Sequence, residues 1–182
     1  MAERAAPDER EEVRIEPECA SMSFDQLYDE QYVRLVRLAV LLLGDLGRAE
    51  EVVQDSFVAV HRRWDRLEGA DLAAYLRTTV VNRSRSLLRH LRVVARHPAD
   101  LPGVGPGADS GVLDRARRAA VLEALAALPR RQREVLALRY YLDLSESEIA
   151  ETLGISRGAV KSHASRGAAA LRARLSTVPE DT

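Results

Sequence analysis

Cysteine, lysine, aromatic residues and long apolar runs are all scarce in this chain of 182 residues. The single cysteine, Cys19, cannot form an internal disulfide, so a reducing cytoplasmic setting is the simplest expectation. Four histidines, His61, His90, His97 and His163, lack the spacing of metal ligands, and no metal site is expected. No glycine-rich phosphate loop or nucleophile constellation appears, so neither a cofactor nor an enzymatic activity is expected. No apolar run approaches the ~18 residues of a membrane span. The opening stretch "MAERAAPDEREEVRIEPE" is too polar for a secretory signal. With two Phe, one Trp and five Tyr, any core is built mostly from Leu, Val and Ala.

What is present is an uneven distribution of charge beneath a net charge of −1. Residues 1–23 carry seven acids and three bases, and residues 24–70 nine acids and six bases. Residues 71–98 reverse this, with one acid and six bases, and residues 154–175 hold five bases and no acid. Two separate basic stretches suggest two contacts with a polyanion. Charge alone fits two solvated helix faces equally well.

Hydrophobic periodicity predicts an all-α protein of two small helical domains. Residues 1–23 lack periodicity and read as a disordered acidic tail. A first domain, 24–96, contains three helices: one on Phe24, Leu27, Leu35, Leu38 and Leu42, ended by Gly44; one whose stripe runs from Ala49 through Phe57 to Trp64; and one from Leu72 to Leu91. Residues 97–111 hold three Pro and four Gly, which predicts a flexible linker over 97–112. Helical spacing resumes at Leu113, defining a second domain, 113–176, followed by a tail, 177–182. There "LPRRQREVLALRYY" starts a helix at Pro129, and two more helices follow, around Ser145–Leu153 and Ser156–Leu175.

The last two helices have helix-turn-helix spacing. Ala150 is small where the second helix must cross, Gly154 suits a left-handed turn, and Ile149, Leu153, Ile155 and Val160 close the core between them. Ser145 and Glu148 form a capping box, and Ser156 caps the second helix. With Val160, Ala164, Ala168 and Leu171 facing inward, Lys161, Ser162, Ser165 and Arg166 share an acid-free outer face, with Arg157 nearby. Small residues let such a helix enter a major groove, where Lys and Arg donate to guanine or phosphate. The sequence does not separate base contacts from phosphate contacts. Gly167 weakens the helix by roughly 0.5–1 kcal/mol relative to Ala, so full order is expected to depend on DNA or on a partner.

Together with "AEEVVQDSFVAVHRRW" (49–64) and "AAYLRTTVVNRSRSLLR" (73–89), this order of motifs resembles a bacterial RNA polymerase sigma factor of the extracytoplasmic-function class, group 4 of the sigma-70 family. The stretch "GAVKSHASRGAAALR" (158–172) is similar to the SigE-like actinobacterial subgroup. The resemblance covers residues 24–176 and implies a promoter-specificity subunit that binds core RNA polymerase, recognises −35 and −10 elements and assists melting of the latter. It implies that 24–96 is region 2 and 113–176 region 4, and that the linker occupies the place of region 3.

The resemblance also assigns residues. Gln54 and Asp55 match polar positions that dock on the β′ clamp helices, with Val53 and Phe57 packing there or serving as core. Asn82 matches the pocket for a flipped −10 base, and Arg83, Arg85, Ser86 and Arg89 form a basic face for the strand backbone. Tyr75 and Trp64 lie on apolar stripes and are expected to pack rather than stack on a base. Arg157, Lys161, Ser162, Ser165 and Arg166 fall in the −35 recognition helix. Leu136, Leu138 and Tyr141 are candidates for gripping the β flap, or for internal core. Promoter DNA and core polymerase are the expected partners, and an anti-sigma factor often restrains members of the family. The alternative function is a conventional helix-turn-helix repressor or activator with a helical N-terminal domain, which would normally dimerise on a palindrome.

Overall fold

A computed structural model describes residues 22–67, 70–94 and 112–176. The expected acidic tail, most of the expected linker and the C-terminal tail lie outside these residues. The described residues are helical, with no strand among them: α1 (Phe24–Leu43), α2 (Leu46–His61), α3 (Leu72–Val94), α4 (Val112–Ala126), α5 (Arg130–Leu136), α6 (Glu146–Leu153) and α7 (Arg157–Leu175).

Local chemistry sets the helix ends. Ser23 and Gln26 form a capping box, the Ser23 hydroxyl accepting from the Gln26 N–H at 3.1 Å and the Gln26 side-chain Oε1 accepting from the Ser23 N–H at 2.8 Å. Gly44 closes α1 in the left-handed region at φ 76°. Asp45 and Asp71 accept from the first turns of α2 and α3, at 2.7 and 2.9 Å. The α2 helix stops at His61, earlier than its apolar stripe suggests. Trp64 therefore belongs to a separate 3₁₀ turn, Trp64–Arg66, and meets Phe24 edge-on with ring centres 5.5 Å apart. Its indole is occupied in packing, as is the ring of Tyr75, whose hydroxyl accepts from Arg63 at 3.2 Å.

The helix expected from Pro129 to Tyr141 is divided. After α5 the chain widens into a π turn, Ala137–Tyr141. The turn directs Leu138 fully inward and leaves Tyr140 69% exposed. It also directs two groups at α1: the Leu142 carbonyl accepts from Arg34 at 3.2 Å, and the Tyr141 hydroxyl donates to the Arg34 carbonyl at 3.2 Å.

The two expected domains are not separate in the folded chain. Helices α1–α3 form one bundle and α4–α7 another, but the two pack face to face, and one apolar cluster runs through both. Leu41 of α1 reaches the second bundle beside Leu125, Leu128 and Leu136. Arg77 on α3 donates to the Thr152 hydroxyl on α6 at 3.4 Å. Burial of the facing apolar stripes supplies the adhesion, at roughly 25 cal/mol per Å² removed from water.

Within the second bundle, Gly167 is a point of close approach between α5 and α7. A Cβ there would lie 3.1 Å from the Gln132 Cβ and 3.2 Å from Leu136 Cγ and Cδ1. The propensity loss expected from glycine is offset by tight packing, and α7 is continuous through this position. The Gln132 Cβ is fixed to its backbone, so it cannot swing aside. Gly167→Val is therefore expected to destabilise the fold by about 1–3 kcal/mol through overpacking. Thermal unfolding followed by circular dichroism measures this; an unchanged midpoint would show that α7 does not seat on α5 here.

Candidate nucleic-acid interface

The helix-turn-helix forms as the spacing predicts. At the start of α6 the Ser145 hydroxyl accepts from the Glu148 N–H at 3.3 Å, and the Glu148 carboxylate accepts from the Ser145 hydroxyl at 2.6 Å and N–H at 2.8 Å. These hydrogen bonds, the side-chain one foremost, hold the Glu148 carboxyl below its usual range. Gly154 takes the left-handed turn at φ 63°, and Ser156 caps α7 by accepting from the Ala159 N–H at 3.2 Å. Val160 and Ala164 are buried, while Ala168 and Leu171 pack at the margin. The cap, the turn and the inward residues together fix which way the rest of α7 faces.

Arg157, Lys161, Ser162, Ser165 and Arg166 are all exposed on the opposite side. The Arg166 guanidinium folds back along the helix, donating to the Ser162 hydroxyl at 2.8 Å and its carbonyl at 3.3 Å. One neighbour was not legible in the recognition helix itself. Glu146, across the turn on α6, lies 3.7 Å from the Lys161 ammonium and 3.6 Å from Arg139. Lys161 is 68% exposed, so this pair contributes little and yields readily to a phosphate.

A second basic face runs along α3. Asn82, Ser86 and Arg89 are exposed, and Arg83 and Arg85 half-buried. Arg83 pairs with Asp55 at 3.0 Å, which ties a −10 candidate to a polymerase candidate. Arg85 donates to the Asn82 carbonyl oxygen at 3.1 Å and clasps Glu134 of α5 through two hydrogen bonds, at 2.8 and 2.9 Å. Arg89 donates to Ser86 at 3.3 Å. Asn82 with Arg85 and Ser86 with Arg89 are thus paired along α3, Arg83 turns to α2, and Arg85 is held by the second bundle.

The polymerase candidates separate by exposure. Gln54 and Asp55 are exposed on α2. Val53 and Phe57 are core. The apolar group that accompanies Gln54 outside is Val58, 47% exposed and one helical turn on, at the mouth of a groove of about 350 Å³ that also takes in Tyr28 and His61. Its position off the core stripe was the available signal. Leu136 and Leu138 are buried as internal core and Tyr141 is half-buried against α1. Leu136 ends α5, while the π turn carries the other two, with Leu138 in the shared core and Tyr140 turned out. No group of residues suited to a metal ion occurs among the described residues, and none of their helices is long and apolar enough to cross a membrane.

Comparison with known proteins matches both bundles. The family described as "Sigma-70 region 2" matches residues 27–93, and "Sigma-70, region 4" matches residues 118–171. The chain is 34% identical over 152 residues to the RNA polymerase sigma-E factor of Streptomyces avermitilis, covering 80% of this chain and 84% of that one. It is 33% identical over 159 residues to the ECF RNA polymerase sigma factor SigL of Mycobacterium tuberculosis, covering 82% and 86%. Among solved structures, the sigma factor RpoE of Bartonella quintana, in complex with the anti-sigma factor NepR, is 28% identical with a TM-score of 0.72, covering 86% of this chain and 98% of that one. CnrH, in complex with the cytosolic domain of CnrY, is 29% identical with a TM-score of 0.65, covering 86% and 89%. A region 2 bundle followed by a region 4 helix-turn-helix, shared with these relatives over most of its length, makes this chain a member of the sigma-70 family of RNA polymerase sigma factors, in the extracytoplasmic-function group.

Proposed function

We propose that the chain directs promoter selection through two faces, with α7 reading the −35 element and α3 the −10 element, while core polymerase holds the two bundles apart. The observation that carries this reading is the pair of basic helical faces on different bundles of one chain, each carrying hydrogen-bonding side chains suited to bases or phosphates. Arg157, Lys161, Ser162, Ser165 and Arg166 contact the −35 duplex. Asn82 reads the flipped −10 base, and Arg83, Arg85, Ser86 and Arg89 follow the strand. Gln54 and Asp55, joined by Val58, dock on the β′ clamp helices. Leu138 and Tyr141 become available to the β flap only once the bundles separate, Leu136 stays packed against α7 within the second bundle, and Tyr140 is the exposed apolar group in the packed form. The chain works in the cytoplasm and carries no catalytic step itself; the polymerase does the chemistry.

An anti-sigma factor is a further partner in this reading. Its support is that the sigma factor RpoE of Bartonella quintana, similar to this chain over 86% of its length, is bound to the anti-sigma factor NepR.

Footprinting of the chain alone and with core polymerase tests the assignment. Protection of two elements only in the mixture is expected; tight operator binding by a dimer of the chain alone would replace it with the repressor reading. Within that assay, Arg166→Ala is expected to weaken −35 binding by roughly 3- to 10-fold and to lower the slope of log affinity against log salt by about 1 or less. An unchanged affinity and slope would move the DNA-facing surface of α7 elsewhere.

A further inference from the structure

Glu134 is the one acidic residue buried among the described residues, with its side chain 3% exposed. Three guanidiniums converge on it. Arg131 at 3.0 Å and Arg130 at 3.5 Å come from its own helix. Arg85 comes from α3 in the other bundle and grips both carboxylate oxygens, at 2.8 and 2.9 Å. The remaining Arg85 nitrogen donates to Asn82. One guanidinium thus connects a region 4 carboxylate with the amide assigned to the flipped base.

We propose that Glu134 is an intramolecular latch, a region 4 carboxylate that occupies the −10 face of region 2 and must leave before that face takes single-stranded DNA. The proposal rests on the reading of Asn82 and Arg85 as −10 contacts. Its chemistry is substitution of like for like, because a bidentate guanidinium accepts a carboxylate or a phosphate in the same geometry. Opening is also less costly than breaking an isolated buried pair. Glu134 keeps Arg130 and Arg131 when Arg85 departs, and Arg85 gains a phosphate. Nearby, burial first of all pushes the pKa of buried Arg133 of region 4 down; the Glu134 charge opposes this, and the like charge of Arg92 of region 2 adds to it. Three guanidiniums around the one Glu134 carboxylate leave surplus positive charge at the seam, which a polyanion relieves. The apolar contacts hold the bundles together, and the Arg85–Glu134 pair makes closure and −10 binding mutually exclusive.

The test uses the full chain with Cys19→Ser and dyes at Glu50→Cys and Ala169→Cys, which are exposed positions on α2 and α7. Single-molecule energy transfer reads the separation of the bundles. A labelled single-stranded oligonucleotide, the non-template −10 strand of a promoter mapped by run-off transcription with core polymerase, reads binding. Glu134→Gln is expected to raise the open population about tenfold and to tighten oligonucleotide binding by about three- to tenfold. In an Arg85→Gln background the same substitution adds no further opening, since the partner is already gone. If Glu134→Gln does not fold by circular dichroism, Glu134→Asp, which keeps the charge but shortens the reach, gives the same comparison. A chain already open without substitution, or equal opening in both backgrounds, overturns the latch. Opening without a gain in oligonucleotide binding overturns instead the −10 role of Arg85, which separates the two failures.

Discussion

Replacing Asn82 with alanine is expected to reduce open-complex formation roughly 5- to 150-fold, the equivalent of the ~1–3 kcal/mol that a paired base contact discriminates. Affinity for core polymerase should stay within about twofold. The physical basis is the asymmetry between what Asn82 does in the fold and what it offers outside. Its side chain is exposed on α3, and the bond it makes, accepting from Arg85, lies at the surface. An exposed position away from core and caps contributes within about ±0.5 kcal/mol to stability, so the variant should fold normally. The amide supplies a donor and an acceptor together, which a base edge needs and alanine cannot replace. Permanganate reactivity of −10 thymines measures opening, and a pull-down on core polymerase measures docking. Normal reactivity would remove Asn82 from the base pocket; a parallel loss of docking would mean that the defect lies in polymerase binding.

Leu138→Ala is expected to have the largest effect on stability, about 2–5 kcal/mol, with a fall in melting temperature of roughly 5–15 °C. Leu138 has no exposed surface and lies in the apolar cluster shared by both bundles. Removing three carbons there leaves a void bounded by the π turn and by α1, neither of which can collapse freely. A domain of this size has only about 5–15 kcal/mol in hand, so a large share of it is at stake. The same measurement decides between the two roles open to this residue. A surface contact for the β flap would alter polymerase binding and leave the melting temperature in place. A core residue does the reverse in the packed form, and its loss loosens the seam between the bundles.

Much of the fold is legible in one dimension because the signals that carry it are short-range. A capping box needs residues three apart, as at Ser23–Gln26 and Ser145–Glu148. A helix stop needs one glycine with positive φ, as at Gly44 and Gly154. The outward face of α7 follows from Val160 and Ala164 facing in, because 3.6 residues per turn then determines where Lys161 and Arg166 must lie. Even so, periodicity extends too far where geometry changes under an unbroken apolar pattern. The stripe through Trp64 hides the end of α2, and the stripe through Leu138 hides a π turn, because neither a tightened nor a widened turn interrupts the alternation of polar and apolar residues.

The order of the motifs and the all-helical class are carried by residue identity and local spacing, and it is those motifs that bear the family resemblance. Other features belong to three dimensions: the packing of region 4 onto region 2, the close approach at Gly167, and the meeting of Arg85 with a carboxylate 49 residues away. Each depends on which apolar stripes find one another, a choice made by shape and buried area between distant segments. A linear pattern records that a stripe must be covered; only the folded chain decides by what.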